Sequence, residues 1–368
     1  MTEFWSYPGS RWWKFDFHTH TPASDDYGKG SDQAQLKQIT CKDWLLSFMR
    51  QGIDCVAVTD HNSGAWVDSL KQALEDLESE RHSEYRPLYI FPGVEITVHG
   101  NIHVLAIFDL NKNTSDIDSL LGAVGYRGNK GRSDSCSACS AVEVINEIVK
   151  AGGLAIPAHA DQQNGLFKLF SGNTLEQVLD EKNVIAIEVV DQALNKPTLY
   201  INKKVNWTEV LGSDSHHPSG SNGQRFPGSH FTWVKMAEPS LEGLRLALID
   251  GNGISVRCCE EVEEDFSPFK TPEHFLESLT IENARCIGQG AAAEVRWNPY
   301  FNAVIGGRGT GKSSLVHALR LVFNRTTDLR HLDEKAEPRL TFERFNQVAK
   351  NRDGLGGLRE TTVITSVF

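Results

Sequence analysis

His18 and His20, one residue apart, and Asp25 a little beyond them are the first residues of the chain whose types could act together. They follow Phe15-Asp16-Phe17, where apolar and polar residues alternate, and this predicts a short strand running into a loop. On an extended backbone, side chains two apart point the same way, so both imidazoles can grip one metal ion. Asp25, past a Pro-Ala-Ser turn, can fold back with an oxygen ligand. Such a mixed N/O set suits Mn, Fe or Zn better than Mg alone.

The elements that must position these residues follow a rhythm. Residues 41–51 have helical spacing and end near Gly52. Residues 54–61 are an apolar run of strand length ending in Thr59-Asp60-His61, and its continuous apolarity implies burial on both faces. Residues 65–82 read as an amphipathic helix. Strands are expected at 88–96, ending in Gly93-Val94-Glu95, and at 102–108, opening on His103-Val104-Leu105. Residues 111–140 are polar and Gly-rich and read as a mobile excursion across the mouth of a site. A helix over 141–150 leads to 153–159, which closes on Ala158-His159, and further strand-like runs cover 184–190 and 209–216, the last containing Ser213-Asp214-Ser215-His216. Strands alternating with helices, with ligand-type residues at strand ends, follow the logic of a β/α barrel.

Five blocks in this order resemble the PHP (polymerase and histidinol phosphatase) family over residues 14–257. They are His18-Thr-His20 with Asp25, Thr59-Asp60-His61, Gly93-Val94-Glu95 with His103, Ala158-His159, and Ser213-Asp214-Ser215-His216. The resemblance implies an α/β fold, a distorted (β/α)7 barrel holding two or three divalent metals. By that resemblance His18, His20, Glu95 and Asp214 hold one ion, Glu95 bridges to a second completed by His103 and His159, and Asp25, His61 and His216 hold the third. Shared carboxylates are what a cluster of cations needs, because they offset the repulsion between ions. Water acidified between two such ions is a sufficient nucleophile, so hydrolysis of a phosphoester needs no Ser or Cys. The catalytic set is then His18, His20, Glu95, His159 and Asp214. His103 is preferred to His99 as a ligand because it opens an apolar strand. His217 reads as an outer or exposed residue, Asp16 and Asp60 as groups orienting imidazoles from behind, and Glu188 as a buried, hydrogen-bonded group. Arg225 and Lys130 are either phosphate clamps or plain surface charge.

Beyond residue 257, an acidic run and Ser267-Pro268 and Thr271-Pro272 read as an exposed linker over 258–278. Residues 279–368 are expected to form a second domain. Its key stretch is a strand at 301–305, then Gly306-Gly307-Arg308-Gly309-Thr310-Gly311-Lys312-Ser313, then an apolar helix from Ser314. This is the G-x-x-x-x-G-K-[ST] pattern, in which backbone amides cradle phosphates, Lys312 reaches the β and γ groups and Ser313 holds Mg²⁺. The region resembles the N-terminal lobe of ABC-type ATPase heads of the SMC kind, a partial P-loop lobe without a Walker B or signature element. ATP binding is therefore expected, and independent hydrolysis is not.

The 368 residues carry a net charge of −11, unevenly spread. Residues 279–368 hold 13 Lys and Arg against 9 Asp and Glu, or +4, which leaves −15 for the rest. An acidic first part is a poor funnel for polyanions unless bound cations offset it. Seven cysteines spread over the chain point to reduced thiols rather than a disulfide framework. No apolar run of membrane-spanning length and no leader pattern is visible, so a cytoplasmic protein without membrane contact is expected. The two-part arrangement resembles TrlF-type proteins and single-gene bacterial anti-phage PHP-ATPases. That implies a metal-dependent nuclease, DNA favoured, controlled by an ATP-binding module in a homo-oligomer. The alternatives are a small-molecule phosphomonoesterase and a catalytically silent PHP domain on an ATPase.

Overall fold

The computed structural model describes residues 5–220, 224–258, 266–349 and 356–368; the acidic run expected as a linker, at 260–265, lies outside the described residues. The chain divides into two compact units, one spanning Arg11–Pro268 and the other Phe269–Phe368 together with the N-terminal residues up to Ser10.

The first unit is built on a mixed sheet. Its strands are β1 (Arg11–Thr19), β2 (Cys55–Val58), β3 (Tyr89–Thr97), β4 (His103–Ile107), β5 (Leu154–Pro157), β6 (Ala186–Glu188), β7 (Thr208–Val210), β8 (Thr232–Met236) and β9 (Val256–Cys258). Seven of them run in the order β5-β4-β3-β2-β1-β8-β9, while β6 and β7 form a parallel pair lying beside β5 and β9. Parallel strands joined by helices, as in a (β/α)7 barrel, occur from β1 to β3 and again from β6 to β7. β4 and β5 pair antiparallel, as do β8 and β9 at the other side. The cause at β4 is the connection: Val98 N–H bonds Ile102 C=O across a tight turn with Asn101 at φ +61°. A turn that short can only join antiparallel strands.

Alternation along the strands sends side chains to two different apolar layers. Phe15, Phe17, Ala57, Phe91, Leu105 and Ile156 pack together inside the curl of the sheet. Their neighbours Val56, Val58 and Ile90 face outward onto Trp44, Phe48 and Leu70 of the helices Cys41–Arg50 and Val67–Ser79. Val94, Ile96, Val104 and Ala106 likewise meet Ile117, Val144 and Ile148 of the helices Thr114–Ala123 and Ala141–Lys150.

Thr114–Ala123 corrects the sequence reading, which left all of 111–140 irregular. The Asn113 side chain accepts from Ser115 and Asp116 N–H, and Asp116 returns a bond from Asn113 N–H, a full capping box; Ile117, Leu120 and Leu121 then supply the buried stripe. Only the stretch after it remains irregular.

The second unit has an antiparallel sheet, β11-β10-β12, of β10 (Ser278–Glu282), β11 (Ala293–Arg296) and β12 (Val363–Val367). Helices Lys312–Val322 and Glu337–Phe345 cover a small core of Leu279, Ile281, Leu315, Ala318 and Phe345. The strand expected at 301–305 is absent. That stretch is irregular, and Phe301 and Ile305 are 86% and 90% exposed. An apolar strand needs ladder partners on its edges, and among the described residues none pairs with it.

The capping box at Ser140 offers a test of local stability: Glu143 N–H bonds Ser140 Oγ while the Glu143 carboxylate accepts from Ser140 N–H. Ser140→Ala is expected to cost about 1 kcal/mol in urea unfolding followed by near-UV circular dichroism, and Ser140→Gly only a few tenths.

Candidate metal centre

One rim of the first unit collects the ligand-type residues. His18 lies near the end of β1 and His20 just past it; His61 follows β2, Glu95 is near the end of β3, His159 follows β5, and Asp214 and His216 follow β7. His103 is the first residue of β4, yet because β4 runs antiparallel to β3 with Thr97 opposite His103, its beginning lies at the same rim as the ends of the parallel strands.

Glu95 is the centre, 1% exposed. Its Oε1 lies 2.6 Å from His103 Nδ1 and 3.0 Å from His159 Nε2, and its Oε2 lies 2.6 Å from His61 Nδ1, 3.5 Å from His18 Nε2 and 3.7 Å from His20 Nε2. Asp214 Oδ1 is 3.2 Å from His20 Nε2 and 3.6 Å from His18 Nε2. Donor atoms converge in three groups: His18, His20 and Asp214; His61, Glu95 and His103; and His20, His61 and His216.

Asp25 does not join them. Its backbone N–H bonds Gly131 C=O, and its carboxylate, 58% exposed, faces Lys37 and Arg132 at 3.8 and 3.7 Å. Asp26 stands in its place, with Oδ2 3.3 Å from His61 Nε2 and Oδ1 3.4 Å from His216 Nε2. The cause is the turn at 21–27, in which Ser24 N–H bonds Thr21 C=O and Tyr27 N–H bonds Ser24 C=O, anchored by the buried Tyr27 ring. This directs residue 26 inward and residue 25 out.

The supporting groups set which nitrogen each ring presents. Glu188 Oε2 accepts from His18 Nδ1 at 2.9 Å and from His159 N–H at 2.9 Å, and its Oε1 accepts from Gly212 N–H at 3.2 Å. Held at Nδ1 by Glu188, the His18 ring turns its Nε2 toward the cluster. His20 Nδ1 bonds Ser24 Oγ, which donates to Asp60 Oδ1, so Asp60 orients His20 through one hydroxyl. Asp16 instead accepts from Ser213 N–H and fixes the backbone before Asp214. Burial raises the Asp16 carboxyl to about 7 and that of Asp60 to about 6. The direct carboxylate partner of His18 is thus Glu188, a role that a lone Glu within a buried strand signals only through the improbability of an unpaired buried charge.

The electrostatics pull in opposite directions. Burial works to raise Glu95, yet the imidazoles of His103, His61 and His18 hold it well below the carboxylate range. Burial opposes charge on His18, but Glu188, Asp214 and Glu95 push it well above its ordinary value, while burial and the neighbouring His216 and His61 push His20 well below. Imidazole nitrogens face one another, His18 Nε2 to His20 Nε2 at 3.1 Å and His61 Nε2 to His216 Nε2 at 3.3 Å. Glu95 Oε2 and His61 Nδ1, buried and 2.6 Å apart, and Asp26 Oδ1, buried 3.4 Å from His216 Nε2, meet one another without well-aligned hydrogen bonds. Protons alone satisfy such a set poorly. Imidazoles and ionised carboxylates aimed at shared points fit divalent cations.

The backbone is bent to achieve this. His159 and Asp214 hold φ of +27° and +47°, a region L residues rarely adopt and one found where surrounding structure over-determines it. Gly212 permits β7 to approach β1: a Cβ there would come within 2.4 Å of His18 N.

Of the other residues singled out in the sequence, Arg225 lines a cleft beside Asp214 and His216, whereas Lys130 pairs with Asp118 away from the cluster. His99 sits exposed in the β3–β4 turn. In the second unit, Gly311 takes a left-handed conformation (φ +93°) ahead of the helix Lys312–Val322, and Lys312 Nζ donates to the carbonyls of Gly306 and Gly307 at 2.5 and 2.7 Å. Residues Gly306, Gly307, Arg308, Gly309 and Thr310 form an exposed loop leading into it.

No family model matches the chain, and no curated protein matches it. Among solved structures it is similar to the lesion-specific endonuclease EndoQ of Pyrococcus furiosus, at 16% identity over 67% of this chain and 57% of that one, with a TM-score of 0.49. It is also similar to an endonuclease Q in complex with a 27-mer duplex bearing an abasic lesion, at 16% identity over 66% and 58% of the two chains, TM-score 0.47. A third is a protein from Bifidobacterium adolescentis named as a metal-dependent phosphoesterase, at 20% identity over 64% and 96%, TM-score 0.39. The chain thus spans under three fifths of the length of the two endonuclease Q structures.

Elemental analysis with metal titration checks these assignments. Glu188→Gln is expected to weaken metal binding about 10- to 100-fold with an unchanged far-UV spectrum. Asp26→Asn should lose bound metal, whereas Asp25→Asn should retain the wild-type content.

Proposed function

We propose that the chain is a PHP-type metal-dependent phosphodiesterase that acts as a nuclease, with DNA as the favoured substrate. The observation that carries this reading is the convergence of six imidazoles with Glu95, Asp26 and Asp214 on a few shared points at an open rim. His18, His20, Glu95 and Asp214 would hold one ion, Glu95 with His103 and His159 a second, and His61, His216 and Asp26 a third. When bound, such ions acidify water to near neutral pH and neutralise phosphoryl oxygens. The chain's own residues supply the rest. Glu188 and Asp60 fix the ring orientation of His18 and His20, buried Glu95 keeps a negative charge among the imidazoles, and Lys29 and Arg225 bring positive charge to the solvent side.

In the same reading the second unit binds ATP with Mg²⁺ through Gly306, Gly307, Arg308, Gly309, Thr310, Gly311, Lys312, Ser313 and Ser314. The Gly-rich loop and its lysine at a helix N-terminus support this, and nucleotide phosphates would replace the carbonyls that Lys312 now touches. Nucleotide binding would regulate the nuclease within a homo-oligomer, in a bacterial anti-phage setting and in the cytoplasm. Among the described residues no helix is long and apolar enough to cross a membrane.

The test is a substrate panel of plasmid, oligonucleotides, bis(p-nitrophenyl) phosphate and phosphate monoesters, each with and without ATP. Diesters should be cleaved, cleavage should stop with EDTA and return with manganese, and His20→Ala should lower the rate at least about 100-fold. ATP should shift the rate of the wild type and not that of Lys312→Ala. Release of phosphate from monoesters alongside intact polynucleotides would replace this reading by the phosphomonoesterase one.

A further inference from the structure

Among the described residues, two clefts reach the metal-ligand cluster from solvent. The first, of about 320 Å³, reaches His61 and has Gln33, Arg132, Asp25 and Asp134 in its wall. The second, of about 260 Å³, reaches Asp214 and His216 and has Gln224 and Arg225 in its wall. Asp26 and Lys29 border both. Each cleft lies at or below the small end of pockets that enclose a free small molecule, roughly 300 Å³, so neither is shaped to envelop a metabolite by itself. Together they form a run passing over the ligands, with a guanidinium on each flank and an ammonium at the middle.

Building on the phosphodiesterase reading, the geometry points to Arg132 and Arg225 as sites for the phosphates on either side of the scissile one, so that the substrate is a polynucleotide strand threaded across Asp26 and Lys29. The charges are available for this. No ion pair holds Lys29 among the described residues, and Arg225 makes one long contact, Nη1 to Gly212 C=O at 3.5 Å. Arg132 pairs with Asp134 at 2.5 Å and lies 3.7 Å from Asp25 Oδ2, but all three side chains are about half-exposed, so solvent screens both contacts. A planar guanidinium meets phosphate through two parallel bonds, so exchange of the carboxylate for a phosphate is feasible. The backbone supports the first flank: Gly131 N–H bonds His61 C=O, tying the Arg132 segment directly to a ligand of the cluster.

Binding separates this proposal from the activity on which it rests. Fluorescein-labelled single-stranded DNA, a dinucleotide and a hexanucleotide, is titrated into the full chain on ice with calcium as the divalent ion, and the affinity is read by anisotropy at several salt concentrations. The hexanucleotide should bind at least tenfold more tightly than the dinucleotide, with a steeper salt dependence by about 0.7 per additional phosphate contacted. Arg132→Gln and Arg225→Gln, checked for wild-type metal content, should each weaken hexanucleotide binding about tenfold, and the double variant about a hundredfold, with a smaller loss for the dinucleotide. Equal affinity and equal salt slope for the two lengths in the wild type would overturn the proposal without recourse to any variant, as would variants that bind the hexanucleotide like the wild type. Length-dependent binding that needs both arginines, in a protein that fails to hydrolyse bis(p-nitrophenyl) phosphate with manganese, would uphold the flanking sites and discard the hydrolase reading.

Discussion

A carboxylate buried among imidazoles constrains the rest of the first unit. Glu95 is almost wholly removed from water, and an ionised group in that position is tolerable only where compensating charge lies within a few ångströms on every side. Five rings supply part of that compensation, and they come from β1, β4 and the segments following β1, β2 and β5. The sheet must therefore bring the ends of non-adjacent strands to one rim. Its curl, the glycine that lets β7 press on β1, and the left-handed backbone at His159 and Asp214 all serve that requirement. Glu188 then links three of the segments through one carboxylate, so the cluster and the strand framework are fastened by the same hydrogen bonds.

The types and order of most ligand candidates were readable because the chemistry requires specific residues and because strands end in recognisable apolar runs. The helix Ala141–Lys150 was legible to the residue, since a capping serine, an acid three positions later and an apolar stripe all lie within one window. Asp25 and Asp26 show where such reading stops. Adjacent residues of the same type differ only in which way a turn faces, and that is decided by Tyr27 packing into a core and by Gly131, a hundred positions away. Glu188 was visible as a buried acid, but its partner on β1 is a tertiary fact.

Residues 301–314 make the same point within one motif. The helical half forms, because its signals are local: a left-handed glycine, then an amphipathic run with Leu315 and Ala318 turned to the core. The strand half does not, because a strand is defined by neighbours and its apolar residues find none among the described residues. Composition alone supports both halves equally. Pairing distinguishes them.

The tight connection between β3 and β4 has an implication for sequence change. Surface loops commonly absorb insertions. The five residues from Val98 to Ile102 do not, because the pairing of Thr97 with His103 determines which side of β4 carries the imidazole. Sliding one strand past the other by a single position would exchange inward and outward side chains along all of β4, turning His103 away from Glu95 and delivering Val104 in its stead. The length of an exposed hairpin is thus a quantity under the same functional constraint as the identity of a ligand.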